Sequence, residues 1–250
     1  MRHVHVVGFG MGPQHLTSEA VTALAAADYV LAVRKGSDDE LLEVRRRICA
    51  EHDLTLVEVP DPERDRDDPA DYPAAVTAWH AARVDAYAAE LTARPGTAAF
   101  LVWGDPALYD STLRILDQLA EREELAGLTW DVIPGISAPQ VLAARHRIVL
   151  HEVGQPMHLT TSRRLREAVD SGQRNVMVML GSAPSLGQLH DLDDWQIWWG
   201  ANLGATGERL VAGRVGEVLP ELLTAREDAR AEAGWVMDTY LLRAPTGAPA

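Results

Sequence analysis

A single cysteine, Cys49, in 250 residues excludes an internal disulfide. It sits with Leu41, Leu42 and Ile48 at helical spacing and has no base near it in the chain, so it is read as a packed thiol rather than a nucleophile. Positive charge is scarce. The 23 Lys and Arg against 37 Asp and Glu give a net charge of −14, which excludes the basic footprint of a nucleic-acid binder. Long apolar runs are missing too: the longest, Val21 to Val33, is broken by Asp28 and is too short to span a bilayer. There is no nucleophile elbow, no Walker loop and no fixed-period repeat. The nine histidines show no metal-ligand spacing, and although His3 and His5 share a strand face, neither has a second ligand pair near it, so no metal is expected. The N-terminal residues lead straight into a strand rather than into a leader's apolar region, so a cytoplasmic protein is expected.

What is present is a regular alternation. Strands are expected at Val4 to Gly8, Tyr29 to Val33, Leu54 to Val59, Ala98 to Trp103 and Leu128 to Ile133. Helices follow them at Ser18 to Ala26, Asp38 to His52, Pro73 to Ala93, from Leu113, and up to Arg145. Strands alternating with helices predict a parallel sheet, hence an α/β fold. A charged segment, Asp61 to Asp71, reads as a solvated loop, and the Pro/Gly-rich end from Ala244 reads as frayed. The pattern restarts after His151, with strands at Met157 to Thr160, Asn175 to Leu180, Gln196 to Ala201, Arg209 to Ala212 and Trp235 to Leu242. Two α/β domains are therefore expected, 1–152 and 153–250, with a cleft between them.

Three loops attract attention. Gly8-x-Gly10-x-Gly12 follows the first strand, but a dinucleotide fold needs its third glycine at position 13, which is Pro13. The second strand ends at Ala32-Val33-Arg34-Lys35, without the acid that would hold a ribose. Both features count against a dinucleotide-dependent oxidoreductase. The buried strand Ala98 to Trp103 stops at Gly104-Asp105-Pro106, where open α/β sheets place ligands; Asp105 could equally cap a helix. Pro134-Gly135-Ile136-Ser137-Ala138 closes the fifth strand. Separately, residues 145–166 hold five arginines (Arg145, Arg147, Arg163, Arg164, Arg166) against one acid, Glu152. This is either a basic helix face or a site for a small polyanion.

In order and spacing, the glycine loop Gly8 to Thr17, the Gly104 to Tyr109 segment and the Pro134 to Ala138 turn resemble those of the tetrapyrrole (corrin/porphyrin) methylases over essentially the whole chain. The resemblance implies two αβα domains, a homodimer, and S-adenosylmethionine as methyl donor, held in an interdomain cleft. It places donor contacts on Met11, Trp103, Gly104, Asp105, Leu108, Ser137, Ala138, Leu180 and Leu203, several of them through backbone. Finer segments, among them Asp61 to Arg66, Leu108 to Thr112, Ala143 to Ile148 and Gly234 to Tyr240, resemble the branch that methylates C-1 of precorrin-5 and releases acetate. Methylation at another corrin carbon, or a non-catalytic tetrapyrrole carrier, would keep the same fold. On this reading Arg145, Arg147, Arg163 and Arg164 hold substrate carboxylates. Deacylation needs a general base for water, for which His146 and His151 are candidates by position, with Asp105 and Asp110 behind them. The chain departs from the family's pattern at Gly10 to Gln14, at Gly181-Ser182, and at Asn202, where an aromatic residue is usual.

Overall fold

The computed structural model describes residues 2–34, 39–62 and 72–245. Most of the charged segment expected at 61–71, and the last five residues of the tail, lie outside them. The chain divides into two compact units, Met1–Ile136 and Ser137–Ala250.

In the first unit the alternation of the sequence becomes β1 (His3–Gly8), α1 (Ser18–Ala25), β2 (Tyr29–Arg34), α2 (Glu40–Glu51), β3 (Thr55–Pro60), α3 (Tyr72–Ala93), β4 (Thr97–Val102), α4 (Thr112–Ala120) and β5 (Thr129–Ile133). The sheet order is β3-β2-β4-β1-β5 and every pairing is parallel. Parallel strands carry helices on both faces, which is why β4, Thr-Ala-Ala-Phe-Leu-Val, is apolar without alternation. One face packs Val4, Val6, Phe100 and Val102 under α3 and α4; the other packs Val7, Phe9, Ala99 and Leu101 under α1 and α2. Thr17 caps α1, its hydroxyl accepting from Ala20 N at 3.1 Å. Cys49 is buried in the second of these layers, and burial pushes its thiol up to about 11, as expected of a packed and unreactive cysteine.

The second unit holds α5 (Ala138–His146), β6 (His158–Thr161), α6 (Leu165–Asp170), β7 (Asn175–Gly181), α7 (Ala183–Leu186), β8 (Gln196–Ala201), β9 (Arg209–Arg214), α8 (Val215–Ala233) and β10 (Asp238–Arg243). Its sheet, β6-β7-β10-β8-β9, is mixed: only β6 and β7 are parallel, and the other three pairings are antiparallel. Between β8 and β9 the reason is connection length. The segment 202–208 between β8 and β9 is too short for a crossover, so the chain doubles back. Helix α5, expected to close the first domain, packs against β7, β8, β9 and β10. Its buried Val141 and Leu142 face that sheet, and the compact units accordingly divide at 136/137 rather than at 152/153.

Candidate donor-binding site

All five strands of the first unit run the same way, so their carboxyl ends share one edge. The loops after β1, β4 and β5, which are neighbours in the sheet, meet there backbone to backbone. A Cβ on Gly8 would lie 2.6 Å from Gly135 N and 2.9 Å from Gly104 O. A Cβ on Gly135 would run into Gly104 O and lie 2.8 Å from the Gly8 carbonyl carbon. Only residues without a side chain allow this approach. Gly10 and Gly104 exchange two backbone hydrogen bonds, Gly104 N to Gly10 O at 2.9 Å and Gly10 N to Gly104 O at 3.2 Å.

Asp105 fastens the assembly. Its Oδ2 accepts from Gly135 N at 2.9 Å and its Oδ1 from Ala107 N at 2.8 Å. Each carboxylate oxygen thus takes a backbone N–H, so this side chain acts as a brace between two loops and is poorly placed to serve as a base. The helix-cap alternative falls instead to Asp110 and Ser111: Asp110 Oδ1 accepts from Thr112 N at 2.6 Å, and Ser111 stands at the N-cap of α4.

Around the brace lie the other expected donor contacts of this unit. Met11 is buried, and its backbone N donates to His15 Nδ1 at 3.3 Å. Trp103 packs edge-on against Phe9, ring centroids 5.5 Å apart. Leu108 N donates to Asp105 O at 3.1 Å, closing the turn that carries Gly104 to Leu108. After Gly12 the chain makes a single 3-10 turn, Pro13–His15, and α1 begins only at Ser18. No long helix therefore opens directly on the third glycine, as a pyrophosphate site would require.

In the second unit, Ser137 is buried at the start of α5, where its N and Oγ both donate to Gln140 Oε1 at 2.7 Å, and Ala138 is buried beside it. Leu180, at the end of β7, is 48 % exposed and left-handed, with φ of 54°. For a bulky residue this is strained backbone, the kind that collects at functional sites. Its carbonyl accepts from Ser162 Oγ at 2.8 Å, a side chain that sequence reading did not single out. Asn202 explains the departure from the family's aromatic residue. It is buried with φ of 48°, a conformation that asparagine tolerates. Its Oδ1 accepts from Met237 N at 2.9 Å and its Nδ2 donates to Trp235 O at 3.1 Å. The neighbouring Leu203 is buried, against the open face of Gly200.

The basic segment does not form one open surface. Arg145 Nε donates to Glu208 Oε1 at 2.9 Å, and Glu208 Oε2 accepts from Gly204 N at 2.6 Å, so this arginine braces the β8–β9 connection. Arg164 pairs with Glu167, and Arg166 with Asp170 and Asp191. Arg147 is the left-handed C-cap of α5, and Arg163 is exposed in a 3-10 turn. Of the two histidines, His146 is half-buried with Nε2 2.9 Å from Trp199 O. A carbonyl can only accept, so Nε2 donates, and in the neutral ring Nδ1 is then the acceptor. His151 is exposed, with Nδ1 3.2 Å from Glu152 O.

A cavity of about 120 Å³ beside the ends of β2 and β4 is lined by Arg45, Arg83, Tyr87, Asp110 and Thr112, among others. Arg45 Nε donates to Leu101 O at 2.8 Å, and burial lowers the pKa of its guanidinium. Arg83 pairs with Asp61 at 2.8 Å. These arginines stand apart in sequence and carried no signal.

Comparison with known proteins bears out the family resemblance. Residues 3–219 match the family model of the tetrapyrrole (corrin/porphyrin) methylases. The chain is 43% identical to the precorrin-6A synthase [deacetylating] of a Sinorhizobium species, an alignment covering 97% of this chain and 95% of that one. It is similar to the crystal structure of a cobalamin-synthesis-related protein of Corynebacterium diphtheriae, with a TM-score of 0.81, 37% identity, and 97% and 98% of the two chains covered. The uroporphyrin-III C-methyltransferase of Thermus thermophilus, solved with S-adenosylhomocysteine, shares the fold with a TM-score of 0.60 and 20% identity over 96% and 97% of the two chains.

Proposed function

The chain belongs to the tetrapyrrole (corrin/porphyrin) methylases, and on that premise we propose that it carries out the reaction for which its Sinorhizobium relative is named, methylating C-1 of precorrin-5 and releasing acetate to give precorrin-6A in aerobic cobalamin synthesis. The observation that carries the reading is the 43% identity, sustained over 97% of the chain. The protein is an S-adenosylmethionine-dependent C-methyltransferase, and the loop edge of the first unit fits that donor. Gly8, Gly104 and Gly135 leave bare backbone at the carboxyl edge of the sheet, where an adenosyl group can lie close. Met11, Trp103, Gly104 and Leu108 are proposed as donor contacts there, with Asp105 holding the loops in register. By the family resemblance, Ser137, Ala138, Leu180 and Leu203 are proposed as further donor contacts.

The bound donor supplies an electrophilic methyl group, and the chain's own task is orientation and proton handling. Deacylation adds water to the acetyl carbonyl, breaks the carbon–carbon bond to C-1 and leaves its electron pair on that carbon. Removing the water's proton needs a base. Each ring holds a carbonyl with one nitrogen and leaves the other to accept, but His146 suits this better, because it is half-buried and anchored by the distant Trp199 O, whereas His151 is exposed and held only by its neighbour Glu152. Arg147 and Arg163 are the members of the basic segment with no carboxylate partner among the described residues, and they are the proposed anchors for substrate carboxylates. The family resemblance also supports a homodimer acting in the cytoplasm.

Incubation with precorrin-5 and methyl-labelled donor is expected to give a labelled product and free acetate. Labelled product without acetate would keep the family and contradict this reaction. His146→Ala is expected to slow acetate release by about 100-fold, within the usual range for loss of a general base. Release at the wild-type rate would exclude His146 from that role.

A further inference from the structure

At the opposite end of the first sheet, the fold gathers three ligand-type side chains that lie far apart in sequence. His3 and His5 point from one face of β1. The parallel pairing of β1 with β5 sets Thr129 opposite His3 and Asp131 opposite His5. One ligand atom each from His3, His5 and Asp131 lie within 4.8 Å of one another. His5 Nδ1 is 2.7 Å from Asp131 Oδ1, and His3 Nε2 is 3.5 Å from Asp131 Oδ2. Ligand atoms around a tetrahedral zinc ion, with bonds near 2.0–2.1 Å, are separated by about 3.4 Å. Small side-chain rotations therefore suffice to close the set around one ion.

The surroundings favour such a site. His3 Nδ1 lies 2.8 Å from Thr129 Oγ1, and that hydroxyl is in turn 3.5 Å from Arg2 O. With the hydroxyl proton directed to the carbonyl, His3 Nδ1 donates and Nε2 presents its lone pair toward Asp131. This outer hydrogen bond is the kind that fixes the tautomer of a metal-binding histidine. Farther along the same face of β1, Val7 and Phe9 are covered by residues of α1 and α2. His5 is largely buried, whereas His3 keeps about a third and Asp131 about half of its side-chain surface exposed, leaving a position open to water.

We propose that His3, His5 and Asp131 bind one divalent transition-metal ion of the zinc class, with water as the fourth ligand. Two imidazoles and one carboxylate suit zinc, cobalt or nickel and disfavour magnesium and calcium, which take mostly oxygen. At about 3.3 Å per residue, His3 lies roughly 16 Å along β1 from Gly8. The ion is therefore remote from the glycine loops and fastens the edge strand β5 to β1.

The test uses the full chain, stripped with a chelator and titrated with Co²⁺ and then Zn²⁺. The expected result is one Co²⁺ per chain, with a visible absorption band that Zn²⁺ abolishes. Zn²⁺ should raise the Tm of the wild type but not that of the His3→Ala/His5→Ala double variant. His5→Ala and Asp131→Asn should each weaken Zn²⁺ at least about tenfold. Thr129→Val should weaken it about tenfold through the orientation of His3, the usual size for an outer-shell loss. Circular dichroism of each metal-free variant checks that it is folded, and Asp131→Asn carries the test if a histidine variant is not. No saturable binding below about millimolar Zn²⁺, or wild-type affinity in the folded variants, would overturn the proposal.

Discussion

Gly135→Ala is expected to weaken S-adenosylhomocysteine binding by at least about 100-fold, or about 2.7 kcal/mol. The added methyl would collide with the Gly104 carbonyl oxygen and with the Gly8 carbonyl group. Both obstacles are backbone, so no side-chain rotation relieves them. The loops must part, and the Gly135 N–Asp105 Oδ2 bond and the Gly10–Gly104 pair are strained together. Overpacking of this kind also costs up to about 3 kcal/mol of stability. Gly127→Ala is the control. That residue is left-handed, with φ of 80°, and nothing stands within 4 Å of its missing Cβ. It should lose about 1–2 kcal/mol for its backbone conformation alone and keep donor affinity. Calorimetric titration of both variants checks the pair; equal affinity in Gly135→Ala would break the link between the tight loop contact and the donor.

Arg226→Met is expected to destabilise the second unit by about 3–5 kcal/mol at neutral pH, the usual cost of stranding a buried charge. Asp238 is fully buried, and its Oδ2 accepts from Arg226 Nε at 2.7 Å. Its Oδ1 has no hydrogen-bond partner among the described residues. Burial pushes the Asp238 carboxyl up from its usual value, and Arg226 opposes that shift. A carboxyl whose folded pKa lies above its unfolded value of about 3.9 favours folding at low pH and loses that contribution as pH rises through the folded pKa. Without Arg226 the shift grows, so the deficit of the variant should shrink as pH is lowered toward about 4. Denaturant unfolding at neutral and acidic pH, with hydrogen exchange in β7 and β10, reads the effect. Unchanged stability at both would contradict the pairing. The Asp238 Cβ abuts Gly181, so loosening this corner should also disturb the left-handed Leu180.

Much of the first unit was legible because its signals are local. The unbroken apolar run of β4, the glycines after β1, β4 and β5, and the cap at Thr17 each follow from neighbouring residues. Asp105 was half legible: its position marked a loop at the ligand edge, but its bond to Gly135 N spans thirty residues and follows only from the β4-β1-β5 order. In the second unit, the seven residues between the strands that became β8 and β9 allow only a return, but nothing local places β10 between β7 and β8. Charge density in 145–166 overstated the unpaired positive charge for a related reason. Glu208 and Asp191, which neutralise Arg145 and Arg166, come from elsewhere in the chain. His3 and His5 looked isolated because their partner Asp131 arrives by strand register across 126 residues.

The central claim is that the carboxyl edge of the first sheet holds the methyl donor. Irradiating the full chain with methyl-labelled S-adenosylmethionine and mapping the labelled peptides tests it most directly. Label competed away by S-adenosylhomocysteine should fall within residues 8–16 and 103–108. Competed label that misses both segments and appears instead around Arg45 and Arg83 would contradict the account.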